Sequence, residues 1–446
     1  MRPGFRRGGE RRGRPLQDRR ALRNRDRWSA GARGQLCLGE DSRETLDAVR
    51  VSAGIGCGLE MHVTLVTSAF QNPDRSDAPG VRRYTTELAR ALSNRGVAIR
   101  VVVPDTKANR APEGSVGNVE VVRVASVANS IGRIGNVGQA NLLSFGSTFT
   151  RMSRLLDDTD VVHSTVPLLG IDSVRGHCPV VAFSHHVERV RSPRDLLAVP
   201  FANAYGSYMY QRADAVVAPS KATGDRLVRH FSVDPTRIKV IHHGINTQVF
   251  FREPGGARNF GKEGTQTVLY VGPLNARKNV LFLLDAFRRL GASLRDTQLV
   301  LIGSGPLETR IQRMTETPPF EGRVVRLRQL SDDQLRQAYC AADVFVSASL
   351  DEGFGFAAIE AMACGTPVIA IDNVVNREIV GDGGLLVPEA TSVELSGAIR
   401  KVLRDPWLSK QLSARGSKRV EERYSWTVAA DTYVKLYEGL VGPRGG

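Results

Sequence analysis

The sequence predicts an α/β protein made of two domains, each built on a doubly wound parallel sheet. Three observations lead to this prediction. The chain has 446 residues, which exceeds the length of one ordinary domain. Short apolar runs alternate with amphipathic stretches, as in parallel sheets that carry helices on both faces. The alternation restarts after about residue 245, so two sheets are expected rather than one.

The first 60 residues differ from the rest in composition. They contain fourteen arginines and no lysine, and residues 1–34 have almost no apolar periodicity. Such a segment buries too little apolar surface to offset the entropy lost on ordering. We interpret residues 1–60 as a disordered basic tail or as an upstream extension that is never made, because Met61 opens a strand-like run, "MHVTLVTSAF". Paired arginines without an apolar core do not fit a secretion signal.

Residues 61–244 are expected to form the N-terminal domain. The run "MHVTLVTS" predicts a strand, and the helix that follows it places Tyr84, Leu88 and Leu92 on one face and stops at Gly96. The other expected elements of this domain are strands at "VAIRVVVP", "VEVVRVA", "DVVHST", "PVVAFSHH" and "ADAVVAPS", and a helix near 203–212.

Residues 245–424 are expected to form the C-terminal domain, after a hinge near 244–258. Its expected strands are "TVLYVGP", "TQLVLIGSG", "RVVRLRQL", "DVFVSAS", "PVIAID" and "GGLLV", with helices between them. Ser425 is the expected N-cap of a last helix, whose apolar stripe is typical of core packing, and residues 425–446 are expected to pack back on the N-terminal domain. Ligands of such sheets bind at the carboxyl ends of strands, so we expect the site in the cleft between the domains.

Composition excludes several classes of protein. No apolar run approaches the ~18 residues of a membrane span, so an integral membrane protein is not expected. The five cysteines lack metal-ligand spacing, so neither a disulfide framework nor a zinc site is predicted, and a cytoplasmic location is the simplest. The net charge is +15, of which +6 belongs to residues 1–60. Binding of nucleic acid by that segment is the less favoured interpretation.

The stretch "DEGFGFAAIEAMACGTP" (351–367) predicts a ligand site. Gly353 and Gly355 permit close backbone approach in a turn after a strand, and the helix that follows directs its free N–H groups into that turn, which suits an anion. Glu352 would repel phosphate and should face hydroxyl groups, and Glu360 can accept two hydrogen bonds from a diol such as ribose. A diphosphate between two diols describes a nucleotide sugar. The alternative is a tight turn with a solvated glutamate.

This stretch resembles the E-x7-E signature of the retaining glycosyltransferases of family 4, also called group 1, which have the GT-B fold of two Rossmann-like domains facing a cleft. The resemblance runs from about Met61 to the C-terminus. Seven segments match family motifs in the expected order: "PGVRRYTTELARAL", "PVVAFSHHV", "IKVIHHGINTQVF", "YVGPLNARKN", "LVLIGSGP", "AADVFVSAS" and "EAMACGTPVIA". The resemblance implies sugar transfer, with retention, from a UDP- or GDP-sugar to a carbohydrate, lipid-linked or small-molecule acceptor, without a protein-bound metal.

The resemblance also implies roles for single residues. Glu360 would hold the nucleotide ribose, and Glu352 would contact the transferred sugar. Lys278 would neutralise the diphosphate leaving group, and His185 would lie near the sugar and the acceptor. Further donor contacts would come from Gly353, Phe354, Gly355, Gly272 and Gly80.

The sequence departs from the family pattern at three places. Pro273 stands where the family has an arginine, and Arg277 beside Lys278 is the candidate substitute. Arg82 replaces a second glycine of the first loop, so Arg82 or Arg83 is a candidate cation from the other domain. A family double glycine is missing before Glu378, which matches a family glutamate to which we assign no role. These departures affect donor affinity and donor identity more than the fold.

Other interpretations stay open at this point. The same fold serves sugar-nucleotide epimerases and phosphorylases, and a catalytically silent carbohydrate-binding or partner-binding protein is the third class. Segments 131–155 and 187–212 mix apolar and basic residues, which fits either internal packing or peripheral contact with an anionic membrane at its inner face. Residues interpreted as structural are His163, His242, His243, Cys364, Gly303 and Gly305.

Overall fold

The computed structural model describes a set of ranges that begins at Met61. These are residues 61–67, 80–105, 119–125, 156–166, 168, 171–184, 195–253, 264–294, 296–328, 330–388 and 391–442. Residues 1–60 and segment 131–155 lie outside the described residues, as do residues 187–194 and the side chains of 195–202. The interpretations of those segments therefore stay predictions.

The N-terminal half forms one parallel sheet of seven strands in the order β3-β2-β1-β4-β5-β6-β7. Its strands are β1 (His62–Val66), β2 (Ala98–Asp105), β3 (Val119–Ala125), β4 (Val161–Ser164), β5 (Val180–Phe183), β6 (Ala215–Ala218) and β7 (Ile238–Val240). Its helices are α1 (Gly80–Ser93), α2 (Ile171–Arg175), α3 (Asp195–Arg212) and α4 (Lys221–Phe231). The strand order reverses between β1 and β4, where Val63 pairs with Val161.

The C-terminal half forms a second parallel sheet, of six strands in the order β10-β9-β8-β11-β12-β13. Its strands are β8 (Gln266–Val271), β9 (Thr297–Ile302), β10 (Val324–Leu327), β11 (Val344–Ser347), β12 (Val368–Ile371) and β13 (Leu385–Val387). Its helices are α5 (Val280–Leu290), α6 (Glu308–Thr315), α7 (Asp332–Ala341), α8 (Phe356–Ala363), α9 (Val374–Ile379), α10 (Ser392–Arg404) and α11 (Pro406–Arg423).

Alternate residues of each strand enter different hydrophobic cores. In β1, Leu65 belongs to the cluster on one face of the sheet and Val66 to the cluster on the other. In β8, Leu269 and Tyr270 divide in the same way. Successive side chains of a strand point to opposite faces, so an apolar run without polar alternation needs cover on both sides. The helices supply that cover and leave the strand ends for ligands.

The last helix, α12 (Trp426–Val441), returns to the N-terminal sheet. Ser425 caps it by accepting from the Val428 N–H at 3.2 Å. Trp426, Tyr433 and Tyr437 join the core that contains Leu65. The predicted fold class, two Rossmann-like parallel-sheet domains with a returning C-terminal helix, is therefore confirmed, whereas the domain limits at 60, 244 and 424 stay predictions. Among the described residues, no helix is long and apolar enough to cross a membrane.

Candidate active site

The candidate site lies where the strand order of the C-terminal sheet reverses. Strands β8 and β11 are neighbours there, with Val344 paired to Val268. Their following connections run in opposite directions along the sheet, which opens a crevice at the carboxyl ends. The loop after β8 carries Arg277 and Lys278, and the loop after β11 carries Glu352.

Glycines allow two loops to meet beside this crevice. Gly272 follows β8 and has a φ of +150°, a value that side chains rarely permit. Gly303 follows β9, and a Cβ there would lie 2.1 Å from the Gly272 carbonyl oxygen. Gly305 also packs closely on the Leu274 backbone, where a Cβ would lie 2.5 Å from the carbonyl oxygen. The glycines after β9 therefore permit the close approach of the two loops, which agrees with their interpretation as structural.

A short 3₁₀ helix, Ala276–Lys278, presents the two cations. The Asn275 side chain caps it by accepting from the Lys278 N–H at 3.0 Å. Asn279 ends it in the left-handed conformation, with a φ of 54°. Asparagine suits both positions, because its short amide can accept from nearby backbone and tolerates this conformation.

Two positively charged side chains contact Glu352, whose own side chain is almost completely buried. Its exposure is 6%. Lys278 Nζ donates to Oε1, and Arg277 Nη1 donates to Oε2 at 3.3 Å. Arg277 Nη1 also donates to the Asp351 carbonyl oxygen at 3.1 Å. Pro273 supplies no charge, so Arg277 is the second cation on this carboxylate.

The turn after Glu352 is fixed by packing and by the other domain. Gly355 caps α8 with a φ of 91°. The Phe354 ring is buried and packs edge-on against His243, with 4.7 Å between the ring centroids. The Gly353 carbonyl oxygen accepts from Ser220 Oγ at 3.1 Å. The Phe354 side chain is thus buried in the core, so it is the backbone of this turn that could contact a ligand.

Glu360 is the second buried carboxylate and the fifth residue of α8. Tyr339 of α7 donates its hydroxyl to Oε2 at 2.8 Å, and Arg83 of α1 donates Nη1 to Oε1 at 3.2 Å. Burial raises the pKa of Glu360, and the charge of Arg83 and the Tyr339 hydrogen bond oppose this rise. Each oxygen keeps acceptor capacity for a further hydroxyl group.

Three predicted site residues are described incompletely. His185 follows β5 and lies outside the described residues. Gly80 is the first residue of α1, and the loop before it is not described. Arg82 lies in the same helix, but its side chain is outside the description. Their roles stay predictions.

Sequence reasoning missed several contacts between the two domains. Arg226 of α4 pairs with Asp351 at 2.6 Å. Glu378 of α9 accepts from the Lys221 N–H at 2.8 Å and contacts His242 Nε2 at 2.9 Å. These partners are more than 100 residues apart, so no local spacing could have revealed them. The resemblance matched Glu378 to a family glutamate but predicted no contact for it.

The histidines interpreted as structural are held by other side chains. The ring of His163 is buried, and its Nδ1 lies 2.6 Å from the Tyr437 hydroxyl. His243 is buried among aromatic rings, including Tyr84 at 4.8 Å. Within the described ranges, no group of three or more His, Cys, Asp or Glu side chains is placed to hold a metal ion.

Comparison with known proteins shows the family of this chain. The profile of the family "Glycosyl transferases group 1" matches residues 257–419, and that of "Glycosyltransferase Family 4" matches residues 79–249. A D-inositol 3-phosphate glycosyltransferase of Geodermatophilus obscurus is 30% identical over 399 residues, covering 83% of this chain and 87% of that one. The chain belongs to the group 1 glycosyltransferases. It is an enzyme of glycosyl transfer, of the hexosyltransferase type.

Two solved structures with the same fold resemble this group 1 glycosyltransferase. Sucrose-phosphate synthase from Thermosynechococcus elongatus superimposes with a TM-score of 0.72 at 25% identity, covering 85% of this chain and 99% of that one. HepE of Anabaena in complex with UDP-glucose has a TM-score of 0.65 at 18% identity, covering 85% and 100%. The likeness to HepE shows the fold, and the predicted GT-B architecture of this group 1 glycosyltransferase is confirmed.

Proposed function

We propose that this glycosyltransferase moves a sugar from a nucleotide-diphosphate sugar to an acceptor hydroxyl with retention at the anomeric carbon. One observation carries the proposal. Lys278 and Arg277 converge on the buried Glu352, and the buried Glu360 lies eight residues further along the chain. The two carboxylates occupy different environments, which suits two different parts of one ligand.

The environment of Glu352 suits the diphosphate and the sugar. Two cations face one carboxylate there, so the cluster has an excess of positive charge that attracts an anion. Lys278 is 14% exposed and Arg277 is 28% exposed, so both can turn toward a ligand in the crevice. Glu352 would then use its freed acceptor capacity on hydroxyl groups of the transferred sugar.

The environment of Glu360 suits the ribose. Tyr339 donates to one oxygen of the Glu360 carboxylate and Arg83 donates to the other. Each oxygen can therefore accept one further hydrogen bond from a hydroxyl group. Because Glu360 is 6% exposed, a ribose bound to it would be largely removed from water. Hydrogen bonds to an ionised group in such a place are stronger than those on an open surface.

The proposed reaction begins with cleavage of the bond between the anomeric carbon and the leaving phosphate. Positive charge develops on the sugar and negative charge on the diphosphate, where Lys278, Arg277 and the backbone of the α8 turn stabilise it. The leaving phosphate then accepts the proton of the attacking hydroxyl on the same face. His185 is the candidate for contact with the sugar and acceptor on the other side of the cleft.

The proposal leaves the acceptor at the level of a class. The Geodermatophilus relative is a D-inositol 3-phosphate glycosyltransferase, and HepE holds UDP-glucose. These names favour a UDP-sugar as donor, with a GDP-sugar as the alternative. They also favour a polyhydroxylated small molecule or carbohydrate as acceptor. A lipid-linked acceptor and contact with an anionic membrane stay predictions from the sequence.

Product analysis tests the proposal. The full chain is incubated with UDP-glucose, UDP-N-acetylglucosamine or GDP-mannose and with inositol phosphate, hexose phosphate or free hexose acceptors. We expect nucleotide release coupled to a product whose anomeric configuration, read by proton NMR, equals that of the donor. Glu360→Gln should weaken nucleotide binding, and Glu352→Gln should mainly lower the transfer rate, whereas Glu422→Gln on the exposed face of α11 should change neither.

Four outcomes would contradict the proposal. Isomerisation of the nucleotide sugar without transfer would indicate an epimerase, and phosphate-dependent cleavage of a glycan would indicate a phosphorylase. An inverted product would exclude the retaining mechanism. If the Glu352 and Glu360 variants both keep full activity, the assignment of the site is wrong.

A further inference from the structure

We propose that Arg83 is a positioning residue, which reaches from the N-terminal domain across the cleft and holds Glu360 as an ionised acceptor for the ribose of the donor. The inference rests on the proposed function, because it assigns a partner to the ribose-binding carboxylate. It goes further in making a residue of one domain responsible for the ligand contact of the other.

Three contacts fix the Arg83 guanidinium. Nη1 donates to Glu360 Oε1 at 3.2 Å, and Nη2 donates to Asp332 Oδ2 at 2.7 Å. The guanidinium carbon lies 5.0 Å from the centroid of the Phe250 ring. A planar fork with several donors can satisfy both carboxylates while it stacks on a ring, which the point charge of a lysine cannot do. The geometry is therefore specific to arginine.

The charges around Glu360 show why a cation is needed. Burial disfavours the ionised carboxylate, and the negative charge of Asp332 adds to this effect. The other ionisable groups around Glu360 that the structure describes are Tyr339 on α7 and Cys364 at the end of α8. Helix α11 also packs on α8, and it contributes there the neutral Ser417, which donates to the Met362 carbonyl oxygen at 3.0 Å. Among the described groups around Glu360, Arg83 therefore supplies the positive charge that favours the ionised carboxylate.

The position of Arg83 couples this charge to the arrangement of the domains. Arg83 lies in α1, a helix of the N-terminal half, and Glu360 is 277 residues away in sequence. Withdrawal of α1 from the C-terminal domain would remove the cation and favour protonation of the carboxyl group. A protonated carboxyl accepts fewer hydrogen bonds, so it would bind the ribose diol less well. Donor binding is then strongest when the two domains are in contact.

The test compares Arg83→Met with Arg226→Met in the full chain. Arg226 also bridges the domains, but it pairs with Asp351 at 2.6 Å rather than with Glu360. Nucleotide affinity is measured by calorimetry with UDP and with GDP from about pH 5 to about pH 9. In Arg83→Met we expect affinity to fall at least ~10-fold at neutral pH. The acid limb of the affinity profile should also move to higher pH. Arg226→Met should keep the wild-type acid limb.

Two further variants separate positioning from a general structural effect. Arg83→Lys keeps the charge, so its acid limb should return toward that of the wild type although its affinity stays reduced. In a Glu360→Gln background the part of the acid limb that Glu360 causes should be absent, and Arg83→Met should then cause no shift. Carbon NMR of the Glu360 carboxyl carbon at a series of pH values follows the protonation of this group without any ligand. The measurement can therefore also be made on a variant of reduced affinity.

The outcomes distinguish the two proposals. If the wild-type protein binds no nucleotide, the proposed function fails, and the ribose role of Arg83 fails with it. If the wild type binds nucleotide but Arg83→Met keeps the wild-type acid limb and the wild-type titration of Glu360, Arg83 is not a positioning residue and the proposed function stands. An equal shift in Arg226→Met would mean that domain contact in general, and not Arg83, sets the charge of Glu360.

Discussion

The hydroxyl group of Tyr339 donates to the buried carboxylate of Glu360 at 2.8 Å, which ties helix α7 to helix α8. Removal of this hydroxyl by Tyr339→Phe should lower nucleotide affinity by roughly one to two orders of magnitude, since a hydrogen bond to a charged group contributes about 1.5–3 kcal/mol. Binding isotherms for the nucleotide give the measurement. Unchanged affinity in a normally folded variant would show that this bond has no part in donor binding.

The two cations on Glu352 should contribute unequally to transfer. Lys278→Met should lower kcat by about 10²–10³-fold, the usual cost of one group that stabilises developing charge. Arg277→Met should cost less, because its contact with Glu352 is longer, at 3.3 Å, and its side chain is more exposed. Because Lys278 and Glu352 share one contact, Lys278→Met combined with Glu352→Gln should lose less than the sum of the two. Steady-state kinetics of the single and double variants decide this, and additive losses would contradict the coupling.

Glu360 should make the protein less stable as pH rises. Burial raises its folded-state pKa above the ordinary value of 4.5, so Glu360 ionises at a lower pH in the unfolded chain than in the folded protein. Ionisation therefore lowers the free energy of the unfolded chain relative to the folded protein as pH rises between the two pKa values. Relative to the wild type, Glu360→Gln should therefore gain stability between about pH 4 and the raised pKa. Urea unfolding at several pH values measures the difference.

Asp285→Asn provides a comparison of opposite sign. Hydrogen bonds from Ser392, Arg288 and Arg289 lower the pKa of Asp285 to about 2. The wild type should therefore gain stability over Asp285→Asn as pH rises, and lose this advantage as pH falls through the folded-state value. Parallel slopes for the Glu360 and Asp285 variants would contradict both assignments.

The close contact of Gly303 with Gly272 should tolerate no side chain. In Gly303→Ala, the new Cβ would lie 2.1 Å from the Gly272 carbonyl oxygen, and the φ of +141° is unfavourable as well. We expect a loss of unfolding free energy on the order of 3 kcal/mol and reduced activity, because the Lys278 loop must move. Gly397→Ala in α10 is the control, since nothing lies within 4 Å of its Cβ and alanine should stabilise the helix by about 0.5–1 kcal/mol. Equal stability of the two variants would refute the argument.

The contact of Glu378 with the other domain should stabilise the protein at neutral pH. Burial opposes ionisation of Glu378, but hydrogen bonds from His242 and from the Lys221 N–H outweigh it and lower its pKa. The stabilisation is therefore present above the ordinary value of 4.5 and is lost as pH falls through the folded-state pKa. Glu378→Gln should be less stable than the wild type at about pH 7, by a margin that shrinks toward about pH 4 in denaturant titrations. A margin independent of pH would show that the charge is not involved.

The amino-acid order was sufficient for the fold because its causes are local. Apolar runs such as that of β8, residues 266–271, need cover on both faces, and caps such as Ser425 and Asn275 use atoms within three residues. The spacing of Glu352 and Glu360 around a glycine turn is equally local, and the proposed ligand type was inferred from it together with the family resemblance. Family membership followed from the order of such segments along the chain.

The partners of the site residues depend on tertiary packing. Lys278 meets Glu352 across 74 residues, and Arg83 meets Glu360 across 277. No local pattern specifies these pairs, because the first exists only when parallel strands bring their carboxyl ends to one edge, and the second only when the two sheets face each other. For the same reason the sequence could name Arg83 as a candidate cation but could not say that it binds a carboxylate. Local spacing determined the elements and suggested the proposed kind of ligand, and the meeting of distant strand ends assigned each charge its partner.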